Sequence, residues 1–99
     1  AFVAAGCDMC HPAPAYTDSS LGTFVRHDVG TLTDASGQRL GSGPLDGVDT
    51  PTLLGAWATA PYLHDGTAES VDAAISAHAS AAGLDDTDIA LIADFVRSL

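Results

Sequence analysis

Cys7-Asp8-Met9-Cys10-His11 constrains this chain more than any other stretch of it. Two cysteines three apart, followed at once by histidine, read as an attachment site for c-type haem. The chemistry needs that spacing. On one helical turn both thiols reach the two vinyl groups on one edge of a porphyrin, and the next imidazole points at the iron. C-x-x-C alone also occurs in zinc sites and in thioredoxin-like redox sites. A structural zinc needs four ligands, and the chain has no third cysteine. His27, His64 and His78 could complete a Cys2His2 set, but they lack the H-x(3–5)-H spacing of a finger. A thioredoxin-like site expects a βαβ context, and the pattern offers none. The expectation is therefore one covalent haem c on Cys7 and Cys10, with His11 on the iron and both cysteines used.

Ninety-nine residues are expected to make one small domain spanning 1–99. The hydrophobic share is 46%, enough for a core, yet much of it is alanine, with three Phe, two Tyr and one Trp. A haem would supply the large apolar body that the side chains do not. No run of 18 apolar residues is present, so no membrane span is expected. The numbering starts six residues before Cys7, as expected for a mature form or an excised domain. Covalent haem is normally attached outside the cytoplasm, which points to a periplasmic, cell-surface or secreted protein. Thirteen acids face three arginines and no lysine. Nucleic acid and anionic lipid are poor partners for such a surface. A redox partner with a basic docking face is the expected macromolecular contact, although solubility alone also explains an acidic surface.

Along the chain, residues 2–10 read as a helix ended by Pro12 and Pro14. Residues 12–49 show no sustained helical period. Asp34-Ala35-Ser36-Gly37 is a turn signal that could carry a small hairpin. So long an irregular stretch is unusual in a compact domain, but a haem gives it something to wrap. Thr50-Pro51 reads as an N-cap with Pro at N1, opening a short helix to about Trp57. Pro61 and Gly66 bound a turn over Tyr62-Leu63-His64-Asp65. Ser70 caps a helix carrying Val71, Ala74, Ile75 and His78 at i, i+3, i+4 and i+7, with Gly83 as its stop. Asp85 or Asp86 caps the last helix, whose stripe is Ile89, Ile92, Ala93 and Val96, widened by Leu91, Phe95 and Leu99. The class is all-α: a small cytochrome c-like domain of three to four helices, with long loops around one haem. Trp57, Tyr62 and Pro51 are candidates for packing on it.

One axial position remains after His11, and the candidates for it are Met9, His27, His64, His78, Tyr16 and Tyr62. Met9 lies between the attached cysteines and cannot reach the far face. His27 sits in a polar loop between Arg26 and Asp28, and His64 in a tight turn where it could ligate, bind a propionate or hold the loop. His78 falls on the apolar helix face, which favours it as the second ligand. An acceptor for His11 Nδ1 is expected among the carbonyls near Pro12 or Thr50-Pro51.

The blocks Asp49-Thr50-Pro51-Thr52-Leu53-Leu54-Gly55 and Ala60-Pro61-Tyr62-Leu63-His64-Asp65-Gly66, taken with Cys7-x-x-Cys10-His11, resemble the C-terminal cytochrome domain of the di-heme cytochrome c peroxidase family, which includes the MauG-like enzymes. The resemblance runs from Phe2 to Leu99. It implies a distal ligand 14 residues beyond the H-D-G histidine, where peroxidases have Met and MauG-like proteins Tyr; here that residue is His78. It also implies that His64 is a structural turn histidine. Two departures matter. The family usually has Arg after P-T-L to neutralise a propionate, and this chain has Leu54, leaving Arg26, Arg39, backbone amides or solvent for that role. The family's enzymes need two haems, and this chain has one C-x-x-C-H.

The function expected from these residues is electron transfer by one bis-histidine, low-spin haem. Rival readings are an electron-relay domain of a larger di-haem or multidomain redox enzyme, a monohaem peroxidase or gas sensor in which His78 detaches, and a zinc-stabilised binding module. The isolated chain is not expected to be an enzyme. Asp46, Asp49, Asp85, Asp86 and Asp88 match no EF-hand spacing, so no metal beyond haem iron is expected.

Overall fold

The chain is described by a computed structural model covering residues 1–22, 25–39, 41 and 43–99, with the side chains of Ser20, Leu21, Gln38 and Arg39 left aside. Two α-helices stand in a structure made largely of loops and short 3-10 turns: α1, Val71–Ala77, and α2, Asp86–Arg97. The expectation of three to four helices is corrected to two among the described residues. A two-stranded antiparallel ladder, β1 (Gln38–Arg39) and β2 (Gly43–Pro44), pairs Gln38 with Pro44 and Arg39 with Gly43. It follows a turn over Asp34–Ser36 in which Ser36 Oγ accepts the Thr33 N–H at 2.8 Å, so the turn signal does lead into a small hairpin.

The segment read as a first helix is instead a loose winding. Gly6 has φ +76°, a left-handed conformation that interrupts any regular helix between Phe2 and the cysteines. A 3-10 turn then runs from Cys7 to Met9, and the His11 N–H closes it on the Cys7 carbonyl at 2.9 Å. The helix expected from Thr50-Pro51 does not form either. Thr52 Oγ1 donates to the Ala15 carbonyl at 2.5 Å, the Leu53 N–H to Tyr16 at 3.2 Å, and Thr17 Oγ1 to Thr50 at 2.6 Å. These bonds lay residues 50–53 alongside 15–17, and only Ala56–Ala58 turns, as a 3-10 segment.

The two helices obey their caps. Ser70 accepts the Ala73 N–H at 3.1 Å and Asp85 the Asp88 N–H at 2.8 Å, satisfying donors that a helix start leaves open. Arg97 near the end of α2 bonds to Asp72 in the first turn of α1 and, at 3.2 Å, to Asp94. α1 stops at Ala77, six residues before the candidate stop at Gly83: His78 is extended (φ −71°, ψ 132°), and a 3-10 turn over Ala79–Ala81 follows.

The core lies where α2 meets the N-terminal winding. Phe2, Val71, Ile92, Ala93 and Val96 are buried there, with Tyr16, Leu53, Tyr62, Ile75, Leu84 and Phe95 half-buried around them. Phe2, Tyr16 and Phe95 form an aromatic triangle with centroids 4.8 to 6.3 Å apart, at tilted and edge-on angles that aromatic pairs favour. Ile92 is 1% exposed. Ile92→Ala is expected to destabilise the fold by about 2–5 kcal/mol, the usual cost of such a cavity. A denaturant titration monitored by far-UV circular dichroism checks this.

Candidate functional site

The cysteines, four histidines (His11, His27, His64 and His78) and the core's inner face border one cavity of about 490 Å³. Cys7, Cys10 and His11 line one part of it. Ala74, Ile75 and His78 line another, and Val29, Val48, Leu53, Leu84, Ile92 and Val96 give it an apolar wall. A space of this size, lined mainly by apolar groups with a few placed polar ones, is the usual character of a cofactor site.

The two imidazoles are aimed alike. His11 Nδ1 lies 3.0 Å from the Tyr16 carbonyl, and His78 Nδ1 lies 2.8 Å from the Ala74 carbonyl. A carbonyl can only accept, so each Nδ1 carries a proton, and in the neutral ring Nε2 is then the nitrogen with the lone pair. That is the tautomer a metal-binding histidine needs, and the carbonyl is the usual partner that orients it. The acceptor for His11 is thus Tyr16, not Pro12 or Thr50; a Pro51 carbonyl contact adds to it. Tyr16 can present its carbonyl there because its own φ is +52°. Burial holds the His11 imidazole below its ordinary pKa, and the facing His78 adds to this, so His11 is neutral at neutral pH. Burial pushes both thiols up: Cys7 chiefly by desolvation, Cys10 by desolvation and then by Asp18. They are free thiols, not a disulfide.

His78 does not sit within a helix, as its spacing suggested. It lies one residue past α1, where its ring reaches back to the last helical turn. Its following residue is pinned: the Ala79 N–H donates to Val29 at 2.8 Å, and Gly30 (φ +85°) passes so close that a Cβ there would stand 3.0 Å from Ala79 Cβ.

The remaining candidates divide. Pro51 and Tyr62 line the cavity. Trp57 does not: Ala56 takes the inward position of that turn, and Trp57 is 60% exposed, facing a separate depression beside Arg97. His64 borders the cavity with its Nε2 3.0 Å from Ser36 Oγ and its Nδ1 3.5 Å from Thr31 Oγ1, which ties the H-D-G turn to the 31–36 loop. The turn itself is closed by mutual Tyr62–Ala68 backbone bonds and by Thr67 hydrogen bonds that hold Asp65 below the usual carboxylate range. Leu54 is half exposed and Arg26 pairs with Asp46 at 3.3 Å, and neither borders the cavity. The Arg39 side chain lies outside the described residues.

His27 lines the cavity too, which its place between Arg26 and Asp28 did not suggest. It is not a surface loop histidine. Its backbone exchanges two 2.9 Å bonds with Val48, its Nε2 meets Asp18 Oδ2 at 2.6 Å, and its Nδ1 lies 3.8 Å from Cys10 Sγ. Its polar flanks hid this, because the partners lie 9 and 17 residues away. Among the described residues no three His, Cys, Asp or Glu side chains converge as a metal-ligand group. No described helix is long and apolar enough to cross a membrane.

The chemistry of the donor set fits haem c: two thiols and an adjacent imidazole kept neutral by burial on one cavity, with a second carbonyl-oriented imidazole bordering it. Comparison with known proteins agrees at the level of class. No curated protein and no solved structure gives a significant match. Residues 42–79 match the family model described as RoxA-like, cytochrome c-like. That stretch holds the P-T-L block, the H-D-G turn and His78, and the match supports a cytochrome c-like domain, a haem-carrying class suited to electron transfer and typically exported.

Proposed function

We propose that this chain carries a single haem c on Cys7 and Cys10 with His11 and His78 as axial ligands, and that it transfers electrons. The observation that carries the reading is the pair of carbonyl-oriented imidazoles on one cavity with the two thiols. Bound in this way, a haem supplies a one-electron ferric/ferrous couple with both axial positions filled. The chain's residues do the rest. The apolar wall excludes water from the site, and the two Nδ1 bonds fix ring orientation so that little rearranges between oxidation states. Met9, between the attachment cysteines, is 81% exposed, so the cysteine edge of the cavity lies near the surface and leaves a short path for an electron.

Kinship with the di-heme cytochrome c peroxidase and MauG-like enzymes, with one of that family's haems present, belongs to the same proposal. So does the alternative that the domain relays electrons within a larger enzyme. The net charge of −10 favours a redox partner with a basic face, met outside the cytoplasm.

An absorption spectrum tests the ligation. The wild type is expected to be low-spin in both oxidation states and to lack a methionine-to-iron band. His78→Ala should become high-spin and bind carbon monoxide readily; an unchanged low-spin spectrum would remove His78 as ligand and move His64 or His27 forward. Replacing the imidazole by a thioether in His78→Met should raise the reduction potential measured by spectroelectrochemistry, because methionine ligation favours the ferrous state. A potential that stays put would mean that residue 78 does not touch the iron.

A further inference from the structure

A surface depression of about 380 Å³ lies beside the end of α2, with Trp57, Tyr62, Glu69, Val71 and Arg97 in its lining. Tyr62 and Val71 also line the cavity of the thiols and imidazoles, so one layer of side chains separates the two spaces. Neither cysteine nor Met9 borders the depression, which makes it an approach distinct from the cysteine edge. Trp57 is the chain's one tryptophan and is 60% exposed. It takes no part in the ring contacts among the described residues, which join Phe2, Tyr16 and Phe95. Its turn is nonetheless firm. The Ala58 N–H donates to the Gly55 carbonyl at 3.1 Å, the Thr59 N–H and hydroxyl both donate to the Ala56 carbonyl at 3.0 Å, and α2 packs against the turn. A large ring on a fixed turn is the kind of anchor that interfaces use, because little freedom is lost when it is covered.

The charge at this place is negative. Arg97, the cation in the lining, is bonded to both Asp72 and Asp94. Glu69 is exposed and enters no ion pair among the described residues. One cation thus stands against three carboxylates. An exposed indole beside an unpaired carboxylate suits a lysine or arginine side chain, held by the ring face and by the charge. We propose that the depression is the docking site for a basic one-electron redox protein, with Trp57 as its anchor and Glu69 as the group that selects positive charge. The inference rests on the electron-transfer reading above and gives it a place on the surface. A second copy of the chain is a poor occupant, since it brings thirteen acids and three arginines. In the docked pair one electron leaves the ferrous chain and reduces the oxidised partner by one electron; no bond changes and no proton moves. Tyr62 and Val71 form the barrier the electron crosses, and Tyr62 is not itself oxidised.

The test titrates the haem-loaded full chain, labelled for amide NMR, with a lysine-rich mitochondrial cytochrome c at low ionic strength. Amide shifts should move at the Ala56–Ala58 turn, at Glu69 and at Arg97. Trp57→Ala should weaken binding by about tenfold or more, the loss expected of an interface anchor, and Trp57→Phe should recover part of it. Glu69→Gln should weaken binding by about threefold and flatten its dependence on salt, as removal of a rim charge does. Leu91→Ala removes a side chain that is 54% exposed and borders neither space, and it should bind as wild type does. Stopped-flow reduction of the cytochrome by the ferrous chain should slow in step with the affinity. Reduction of hexaammineruthenium(III), a small ion that needs no anchor, should not slow in Trp57→Ala. Equal affinity of wild type and Trp57→Ala would overturn the inference. So would shifts centred on Met9 and the cysteine edge, or self-association of the wild type through Trp57. A haem-loaded chain that reduces the cytochrome without dependence on Trp57 removes this inference alone, whereas a chain that carries no covalent haem removes the electron-transfer reading with it.

Discussion

Two hydrogen bonds from imidazole Nδ1 atoms to main-chain carbonyls, His11 to Tyr16 and His78 to Ala74, are what the rest of this architecture serves. Each fixes a tautomer and a ring direction. Tyr16 sits in a left-handed conformation that a bulky residue adopts only under constraint, and the constraint is visible. Its ring closes the triangle with Phe2 and Phe95, and its carbonyl also takes the Leu53 N–H. On the other side, α1 supplies Ala74 and stops, so that the extended His78 folds its ring back over the last turn. The N-terminal winding, the residues 50–53 beside it and α2 beneath both are the scaffold for these two contacts.

The same scaffold is hollow. Among the described residues the buried hydrophobics are Phe2, Val71, Ile92, Val96 and three alanines, a small core for 99 residues. The apolar side chains that a chain this size would normally pack against one another instead line the cavity. A large apolar occupant would complete their burial at roughly 25 cal/mol per Å² of surface removed from water. This explains why 12–49 can be irregular: loops that close over an occupant need no helical period of their own. It also explains the weight placed on side-chain-to-backbone bonds such as Thr17 to Thr50 and Thr52 to Ala15, which fix loops where helix or sheet ladders would otherwise do so.

Much of the site was legible because its chemistry is local. The C-x-x-C-H spacing and the apolar repeat that ends in His78 both bring their residues to one cavity. The repeat was misleading about the backbone: it counts side-chain positions, and α1 can end at Ala77 while His78 still faces inward. The Thr50-Pro51 cap signal failed because threonine hydroxyls found carbonyls in another segment, a competition that no window of sequence can register. Trp57 was misplaced for a related reason, since adjacent residues of a 3-10 turn face opposite ways and only packing decides which is inside. His27 was hidden because its partners are distant in sequence, and its neighbours Arg26 and Asp28 describe a surface strand edge rather than the ring's own surroundings.

Under the ligation proposed above, the way His78 is held argues for electron transfer over substrate binding. A ligand that must leave the iron to open a site needs slack in its backbone. Here the residue before it ends a helix, its own ring is bonded to that helix, and the next residue is bonded to Val29 and pressed against Gly30. Moving His78 out would break the Ala74 and Val29 bonds together and open the Gly30 contact. Each buried bond left unmade costs about 1–3 kcal/mol, and these losses fall on one short segment. A closed, six-coordinate site is the arrangement such a segment favours. Under the ligation proposed above, a site built that way exchanges electrons and leaves no place for a substrate on the iron.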